Sequence, residues 1–391
     1  MNARRSIATA IGLLVSLSMI GCKLLGLVEP SDEAEPASHV TPPAENEPEE
    51  ESEAETEEQE PTGPRRRFAK VAVGESFVCG LTEDKTLLCR GRNDMGQSTP
   101  PGGDACWLDS RGYITCHDAN RDEEIGPPPA TYARVEAGDG HACAIRDDGR
   151  VECWGDNSFG QTEAPDGPFT DIATGWRHNC AIRPDGTVEC WGFGSKPERD
   201  EGDWHDDYNQ AIPPSGTFKA IAAGATHTCA VQSDGWPECW GGGNNGETNA
   251  PATKLESLTA RKWHTCGLTS DNRAICWGLG SDPNRKEGKF DHDHDQSVPP
   301  DGTFLALATG YYLTCGIRPN NYVDCWGIGA TSPHEPIIYN GEANPPPLRF
   351  SDIDSNNALT CGVTLDDGDI VCWGVVPTYM IDPLGPITTP S

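Results

Sequence analysis

Apolar positions in this chain fall into short runs broken by Gly and Asp, with no sustained 3.6-residue period. Ala144-Ile145-Arg146 and Arg150-Val151-Glu152 flank Asp147-Asp148-Gly149. That triplet suits a three-residue hairpin loop, a type I turn followed by Gly in the left-handed region. The spacing predicts two short antiparallel strands in which Arg146 faces Arg150 and Cys143 lies directly opposite Cys153.

The same pattern returns along the chain. Val135–Gly155 reads VEAGDGHACAIRDDGRVECWG, and Ile172–Gly192 reads IATGWRHNCAIRPDGTVECWG. First cysteines of successive units are 27, 37, 37, 49, 37, 49 and 46 residues apart, a base period of 37 with one deletion and three insertions. A period of this size signals a solenoid or a propeller. Short strands and Gly-rich turns favour an all-β fold, a β-propeller.

Sixteen of the 17 cysteines form pairs: Cys79/Cys89, Cys106/Cys116, Cys143/Cys153, Cys180/Cys190, Cys229/Cys239, Cys266/Cys276, Cys315/Cys325 and Cys361/Cys372. Members are ten residues apart, except in the last pair, where the loop Asp366-Asp-Gly-Asp369 has one extra residue and the spacing widens by one. Directly opposed cross-strand residues are within disulfide reach. Eight disulfides inside hairpins are therefore expected, formed in an oxidising compartment. Reduced, buried cysteines are the alternative, and the spacing is wrong for zinc knuckles.

The run Gly-x-x-His-x-Cys-Ala-(Ile/Val)-x-x-Asp-Gly-x-x-x-Cys-Trp-Gly, followed by Asn-x-x-Gly-Gln at Asn157–Gln161 and Asn93–Gln97, resembles the regulator of chromosome condensation repeat. The resemblance spans residues 66–376 and implies a β-propeller, usually of seven blades. The Cys106/Cys116 unit lacks the Ala-Gly strand and carries Trp107 and His117 after its cysteines. It reads as an insertion or a degenerate eighth blade. Eukaryotic relatives are exchange factors for a nuclear GTPase, a role at odds with export and disulfides. Similar bacterial propellers include an inhibitor of secreted β-lactamases.

Outside the repeats the chain changes character. Arg4, Arg5 and the apolar Ile7–Leu17 make an export signal too short to span a bilayer. Met19-Ile20-Gly21-Cys22 resembles the lipobox of bacterial lipoproteins, which makes Cys22 the lipid anchor. An ordinary cleaved signal would leave Cys22 an odd thiol. Residues 29–64 are dominated by Glu and Pro, have no aromatic residue, and read as an extended tether or a docking tail for a basic partner. The expected layout is a signal at 1–21, lipidated Cys and tether at 22–65, propeller at 66–376 and tail at 377–391. The expected location is the bacterial envelope, at the outer membrane or cell surface. A net charge of −32 argues against nucleic acid.

His141, His178, His227 and His264 share one repeat position, where other units place Phe77, Leu313 and Leu359. A position that accepts Phe and Leu is a packing position. Trp154, Trp191, Trp240, Trp277, Trp326 and Trp373 follow the second cysteine, a core layer between blades or a stacking surface for sugars. Blade 1 has Arg90 there. The insertions, near 193–215, 279–301 and 328–347, each begin just after Trp-Gly and so share one face. The first two carry Asp203-Trp204-His205-Asp206-Asp207-Tyr208 and Asp291-His292-Asp293-His294-Asp295. Loops on a rigid scaffold are where binding residues gather. Trp204, His205, Tyr208, His292 and His294 form a candidate binding face. Asp203, Asp206, Asp207, Asp291, Asp293 and Asp295 are candidate ligands for a divalent cation, though solvated acidic loops are the plain alternative. No cofactor is firmly implied and no catalytic motif is present. The expected function is a monomeric module binding an extracytoplasmic protein or glycan. The alternatives are an enzyme on envelope polysaccharide or peptide, needing carboxylates converging near the axis, and a passive envelope component.

Overall fold

The Asp-Gly loops turn as their residue types require. Arg146 N donates to Arg150 O at 2.8 Å and Gly149 N to Arg146 O at 2.9 Å, with Gly149 at φ 85°. That angle is open to Gly and strained for side chains. Cys143 and Cys153 are register partners, joined by a disulfide with Cα atoms 4.1 Å apart. The computed structural model describes residues 66–100, 106–108, 114–116, 130–195, 207–281, 294–328, 344–357 and 359–374. Of two compact units, Met1–Thr62 and Gly63–Ser391, the first lies outside the described residues. So do the expected export signal, Cys22, the tether and the tail at 377–391.

Each blade is three antiparallel strands in sequence order. Blade 1 is β1 (Phe68–Val73), β2 (Phe77–Thr82) and β3 (Leu87–Gly91). A two-stranded hairpin follows, β4 (Cys106–Leu108) and β5 (Ile114–Cys116). Blade 2 is β6 (Tyr132–Ala137), β7 (His141–Arg146) and β8 (Val151–Gly155); blade 3 is β9 (Asp171–Thr174), β10 (His178–Ile182) and β11 (Val188–Gly192). Blade 4 is β12 (Phe218–Ala223), β13 (His227–Gln232) and β14 (Pro237–Gly241); blade 5 is β15 (Ser257–Arg261), β16 (His264–Leu268) and β17 (Ala274–Gly278). Blade 6 is β18 (Ala306–Thr309), β19 (Leu313–Ile317) and β20 (Val323–Gly327); blade 7 is β21 (Phe350–Asn356), β22 (Leu359–Thr364) and β23 (Ile370–Gly374).

First strands of successive blades pack side by side in cyclic order, and β21 closes the ring on β1. Asp352 Oδ2 accepts from Val71 N at 3.0 Å, and Asp354 Oδ2 accepts from Val73 N at 2.7 Å. Phe68 N also donates to Gly368 O at 2.7 Å. The fold is a seven-bladed β-propeller with inner strands around its axis.

Every blade carries one disulfide between its middle and outer strands. The bonds are Cys79–Cys89 in blade 1, Cys143–Cys153 in blade 2, Cys180–Cys190 in blade 3 and Cys229–Cys239 in blade 4. Cys266–Cys276, Cys315–Cys325 and Cys361–Cys372 staple blades 5, 6 and 7. The alternative of reduced, fully buried thiols is set aside for these seven pairs. Their middle-strand members are buried, whereas Cys190, Cys239, Cys276 and Cys325 on the outer strands are only half-buried, and Cys89 is buried. The eighth expected bond is not described. The Cys106/Cys116 unit is a hairpin between blades 1 and 2. Its cysteines are register partners, and their side chains lie outside the described residues.

Blade seams explain the recurring residues. The four repeat histidines are fully buried. Each presents Nε2 to the next blade: His141 to Asn179 Oδ1 at 2.7 Å, His178 to Thr228 Oγ1 at 2.9 Å, His227 to Thr265 Oγ1 at 2.8 Å, and His264 to Thr314 Oγ1 at 2.9 Å. Five tryptophans donate Nε1 to the carbonyl of the preceding loop's Gln or Glu. These are Trp154 to Gln97, Trp191 to Gln161, Trp240 to Gln210, Trp277 to Glu247 and Trp326 to Gln296, all within 2.9–3.0 Å. Histidine and tryptophan positions are thus spent on holding blade to blade.

Candidate functional site

Inner and middle strands of every blade are joined by a two-residue turn, and these turns crowd together around the axis on one face. In blades 1 to 6 they are Glu75-Ser76, Asp139-Gly140, Trp176-Arg177, Ala225-Thr226, Lys262-Trp263 and Tyr311-Tyr312, and in blade 7 the turn opens at Asn357. Several are tied edge to edge: Glu75 N donates to Asp139 O at 3.2 Å, Ala225 N to Lys262 O at 2.9 Å, and Tyr311 N to Asn357 O at 3.0 Å. The residue before the turn is Gly in five blades. A Cβ on Gly175 would lie 2.5 Å from both Gly224 O and the His178 ring, so that position admits no side chain. The frame repeats, whereas the turn residues differ in every blade.

The long loops are rooted on this face. In blades 1 to 6 the first residue after the outer strand donates its N–H to the second turn residue of its own blade. Phe193 N reaches Arg177 O at 2.9 Å, Leu279 N reaches Trp263 O at 2.8 Å, and Ile328 N reaches Tyr312 O at 2.8 Å. These are the roots of the three insertions. Blades 3, 5 and 6 therefore carry both the long loops and the aromatic turns. In blades 1, 2 and 4 the outer strand is followed by Arg92, Asp156 and Gly242, and the turns are Glu75-Ser76, Asp139-Gly140 and Ala225-Thr226.

The half-buried rings make a nearly continuous path across the face. Phe193 packs edge-on to Phe159 at 4.9 Å, and the Arg177 guanidinium lies 4.8 Å from Phe159 and 4.0 Å from Trp176. Lys262 Nζ is 5.3 Å from the Trp176 ring and 5.4 Å from Tyr311, and it ion-pairs with Asp139. Tyr311 meets Trp263 at 4.9 Å and Tyr312 at 4.0 Å, and Tyr312 meets His294 at 5.3 Å.

Beneath this path Arg261 takes the place of the turn Gly in blade 5. Its guanidinium, almost wholly buried, donates across the axis to Val73 O, Thr174 O and Ser355 O, each at 3.2 Å, and reaches Asp354 Oδ2 at 3.4 Å. One side chain thereby ties blades 1, 3 and 7 to blade 5. Burial raises the Asp354 carboxyl to about 7, against the opposing pull of Arg261, and the Asp171 carboxyl to about 6, against that of Arg134. Carboxylates do converge near the axis, as an enzyme would require. Yet Asp352 and Asp354 accept backbone N–H groups of blade 1, which makes them closures of the ring. Glu75, on the face itself, is raised by burial and by Asp139.

Two residues of the sequence-predicted face are described. His294 ends the aromatic path. Tyr208 occupies the loop position of Phe159 and gives its N–H to Gln210 Oε1 at 2.9 Å. Asp207 and Asp295 serve their turns: Asp207 Oδ1 accepts from Asn209 N at 3.1 Å, and Asp295 adopts φ 60° where other blades use Gly96 and Gly160. Trp204, His205, Asp203, Asp206, Asp291, His292 and Asp293 lie outside the described residues. Among the described residues no group of three or more His, Cys, Asp or Glu is placed to hold a metal ion.

The cysteines take no part in the axial site. Cys89, Cys153, Cys190, Cys239, Cys276, Cys325 and Cys372 sit on outer strands, away from the inner strands that ring the axis. Each is bonded to its middle-strand partner. They offer neither a thiolate ligand nor a nucleophile. Sequence reasoning missed Trp176, Lys262, Trp263, Tyr311 and Arg261. For the first four the signal was present in the two residues before each repeat His or Leu, which change while their flanks repeat, and for Arg261 in its replacement of the Gly that precedes the turn in five blades.

Residues 68–97, 132–161 and 169–196 match the regulator of chromosome condensation (RCC1) repeat. They coincide with blade 1 and blades 2 and 3, including the Asn-x-x-Gly-Gln loops. No curated protein matches the chain. Among solved structures, the propeller ectodomain of the Arabidopsis thaliana receptor kinase ACR4 is 22 % identical, with a TM-score of 0.53, covering 79 % of this chain and 96 % of that one. Prp20p from Saccharomyces cerevisiae, described with its binding to Gsp1p and histones, is 16 % identical at 0.53, covering 79 % and 83 %. Human WBSCR16 is 14 % identical at 0.53, covering 79 % and 87 %. At these identities the RCC1-type likeness establishes the fold. The seven disulfides point to an oxidising, extracytoplasmic environment.

Proposed function

We propose that the chain is an exported, lipid-anchored propeller that binds a protein partner through the axial face. The observation that carries this reading is the coincidence on blades 3, 5 and 6 of long loops and aromatic turns. Blade geometry does not demand those rings, since blades 1, 2 and 4 make the same turn without them. Trp, Tyr and Arg are the residue types that dominate binding hot spots. Prp20p, with the same fold, binds proteins by its own description. The disulfides fit an extracytoplasmic location, and Met19-Ile20-Gly21-Cys22 after a short apolar run fits export and lipidation. The role is binding rather than catalysis: Asp352 and Asp354 are engaged by backbone amides of blade 1 and Asp139 by the Lys262 ammonium.

A photo-crosslinking residue at position 176 or 311 tests this, with position 236 or 322 on the opposite end as control. Cross-links from both axial positions to one envelope protein, with none from the opposite end, support the reading. The reverse pattern overturns it.

A further inference from the structure

The shallow pit at the centre of the axial face already contains a cation. The Lys262 ammonium lies between the Trp176 and Tyr311 rings, at 5.3 and 5.4 Å from their centroids, and ion-pairs with the Asp139 carboxylate. Both charged side chains are mostly buried, 12 % exposed for Lys262 and 8 % for Asp139. Asn356, fully buried, donates Nδ2 to Asp139 Oδ1 at 3.4 Å and leaves its own Oδ1 without a partner. Glu75 adds a second carboxyl beside Asp139, close enough to be raised by it. Two ring faces and a desolvated carboxylate are the elements that recognise an organic ammonium. No blade frame requires this set, because the rings and charged groups come from the variable turns of blades 1, 2, 3, 5 and 6.

We propose that the pit is a cage for a primary alkylammonium, and that Lys262 fills it in the free chain as a built-in ligand. Once Lys262 is withdrawn, the external ligand class the cage accepts is the tip of a lysine side chain. This deepens the reading of the axial face and rests on it only for the biological source of that lysine. A small amine can probe the cage with no partner present. Failure of the amine experiment would leave the face reading intact, and a failed cross-link would leave the cage intact.

The test removes the resident and supplies a replacement. The Lys262→Ala propeller should melt lower than wild type, because Asp139 is left buried without its cation. n-Butylammonium and N-acetyl-lysine N-methylamide should raise that midpoint saturably, by binding the folded state alone. The wild type should not respond, nor should Lys262→Met, whose chain occupies the cage. Asp139→Asn added to Lys262→Ala should weaken the amine response about tenfold. An equal response in wild type, an equal effect of n-butanol, or no response in folded Lys262→Ala would overturn the proposal. Should Lys262→Ala not fold, ¹⁵N spectra of the wild type decide. One lysine ammonium should show ring-current shifts and slow proton exchange, and lose both in Trp176→Ala. Uniformly fast-exchanging lysine ammonium groups would refute the cage.

Discussion

His178 donates its Nε2 hydrogen to Thr228 Oγ1 across the seam between blades 3 and 4, at 2.9 Å. The direction follows from the next link, since the Thr228 hydroxyl gives its only hydrogen to Gln210 O at 2.9 Å. The imidazole is therefore held as the Nε2–H tautomer, with a bare, buried Nδ1. His264, Thr314 and Gln296 repeat the arrangement.

Unequal consequences follow for the two partners. His178→Leu copies what blades 6 and 7 use and leaves Thr228 its carbonyl acceptor, so it should cost under about 1 kcal/mol. Thr228→Val strands the buried imidazole N–H, while the Gln210 carbonyl keeps its Trp240 donor, and should cost about 1–3 kcal/mol. Urea unfolding of the two variants checks the order.

The same burial sets an acid limit. Burial lowers His178 and His264 to about 3 and His227 to about 4, from an ordinary 6.5. Between pH 6.5 and those values the unfolded chain binds protons that the fold refuses, so stability falls as pH falls. Asp354 and Asp171 act oppositely: raised to about 7 and 6 from 3.8, they favour the fold as pH drops toward 4. Replacing His178 by Leu should flatten the acid limb between pH 6 and 4 by up to about 1.4 kcal/mol per pH unit. Denaturant midpoints across that range give the slope, and an unchanged slope would place the limb elsewhere.

Arg261→Met removes the axial tie and leaves Asp354 buried beside no cation. Breaking a buried pair in this way costs about 3–5 kcal/mol. The loss should be larger at pH 8 than at pH 6, because Asp354 can take up a proton at the lower pH. Melting temperatures of variant and wild type at both pH values measure it.

Cys22→Ser should release the exported chain from membranes into the soluble fraction. The readout is fractionation of cells expressing each form. Membrane retention of the serine variant would rule out a lipid anchor at Cys22.

Hairpins and disulfide register could be read from the chain because each is local. An Asp-Gly loop fixes which residues face each other, and Cys361/Cys372 widened with its loop as that register requires. The hairpin at Cys106 was ambiguous because a two-stranded unit carries the same cysteine spacing as a blade. The axial site was not legible in the same way. Arg261, Lys262, Asp139 and Trp176 meet only when the ring closes, and no spacing along the chain records that closure. His294 entered the predicted face through its acidic neighbours, whereas what places it there is the ring of Tyr312.

The central claim is that the aromatic turns on blades 3, 5 and 6 make the binding surface. Quantitative recovery of the cross-linked partner with three forms of the exported chain tests it most directly. The forms are wild type, Trp176→Ala/Tyr311→Ala on the axial face, and Trp236→Ala/Tyr322→Ala at the opposite end. The axial pair should lose at least about tenfold in recovery, as expected of hot-spot truncation, and the opposite pair should leave recovery unchanged. Undiminished recovery with the axial pair, or loss confined to the opposite pair, would contradict it.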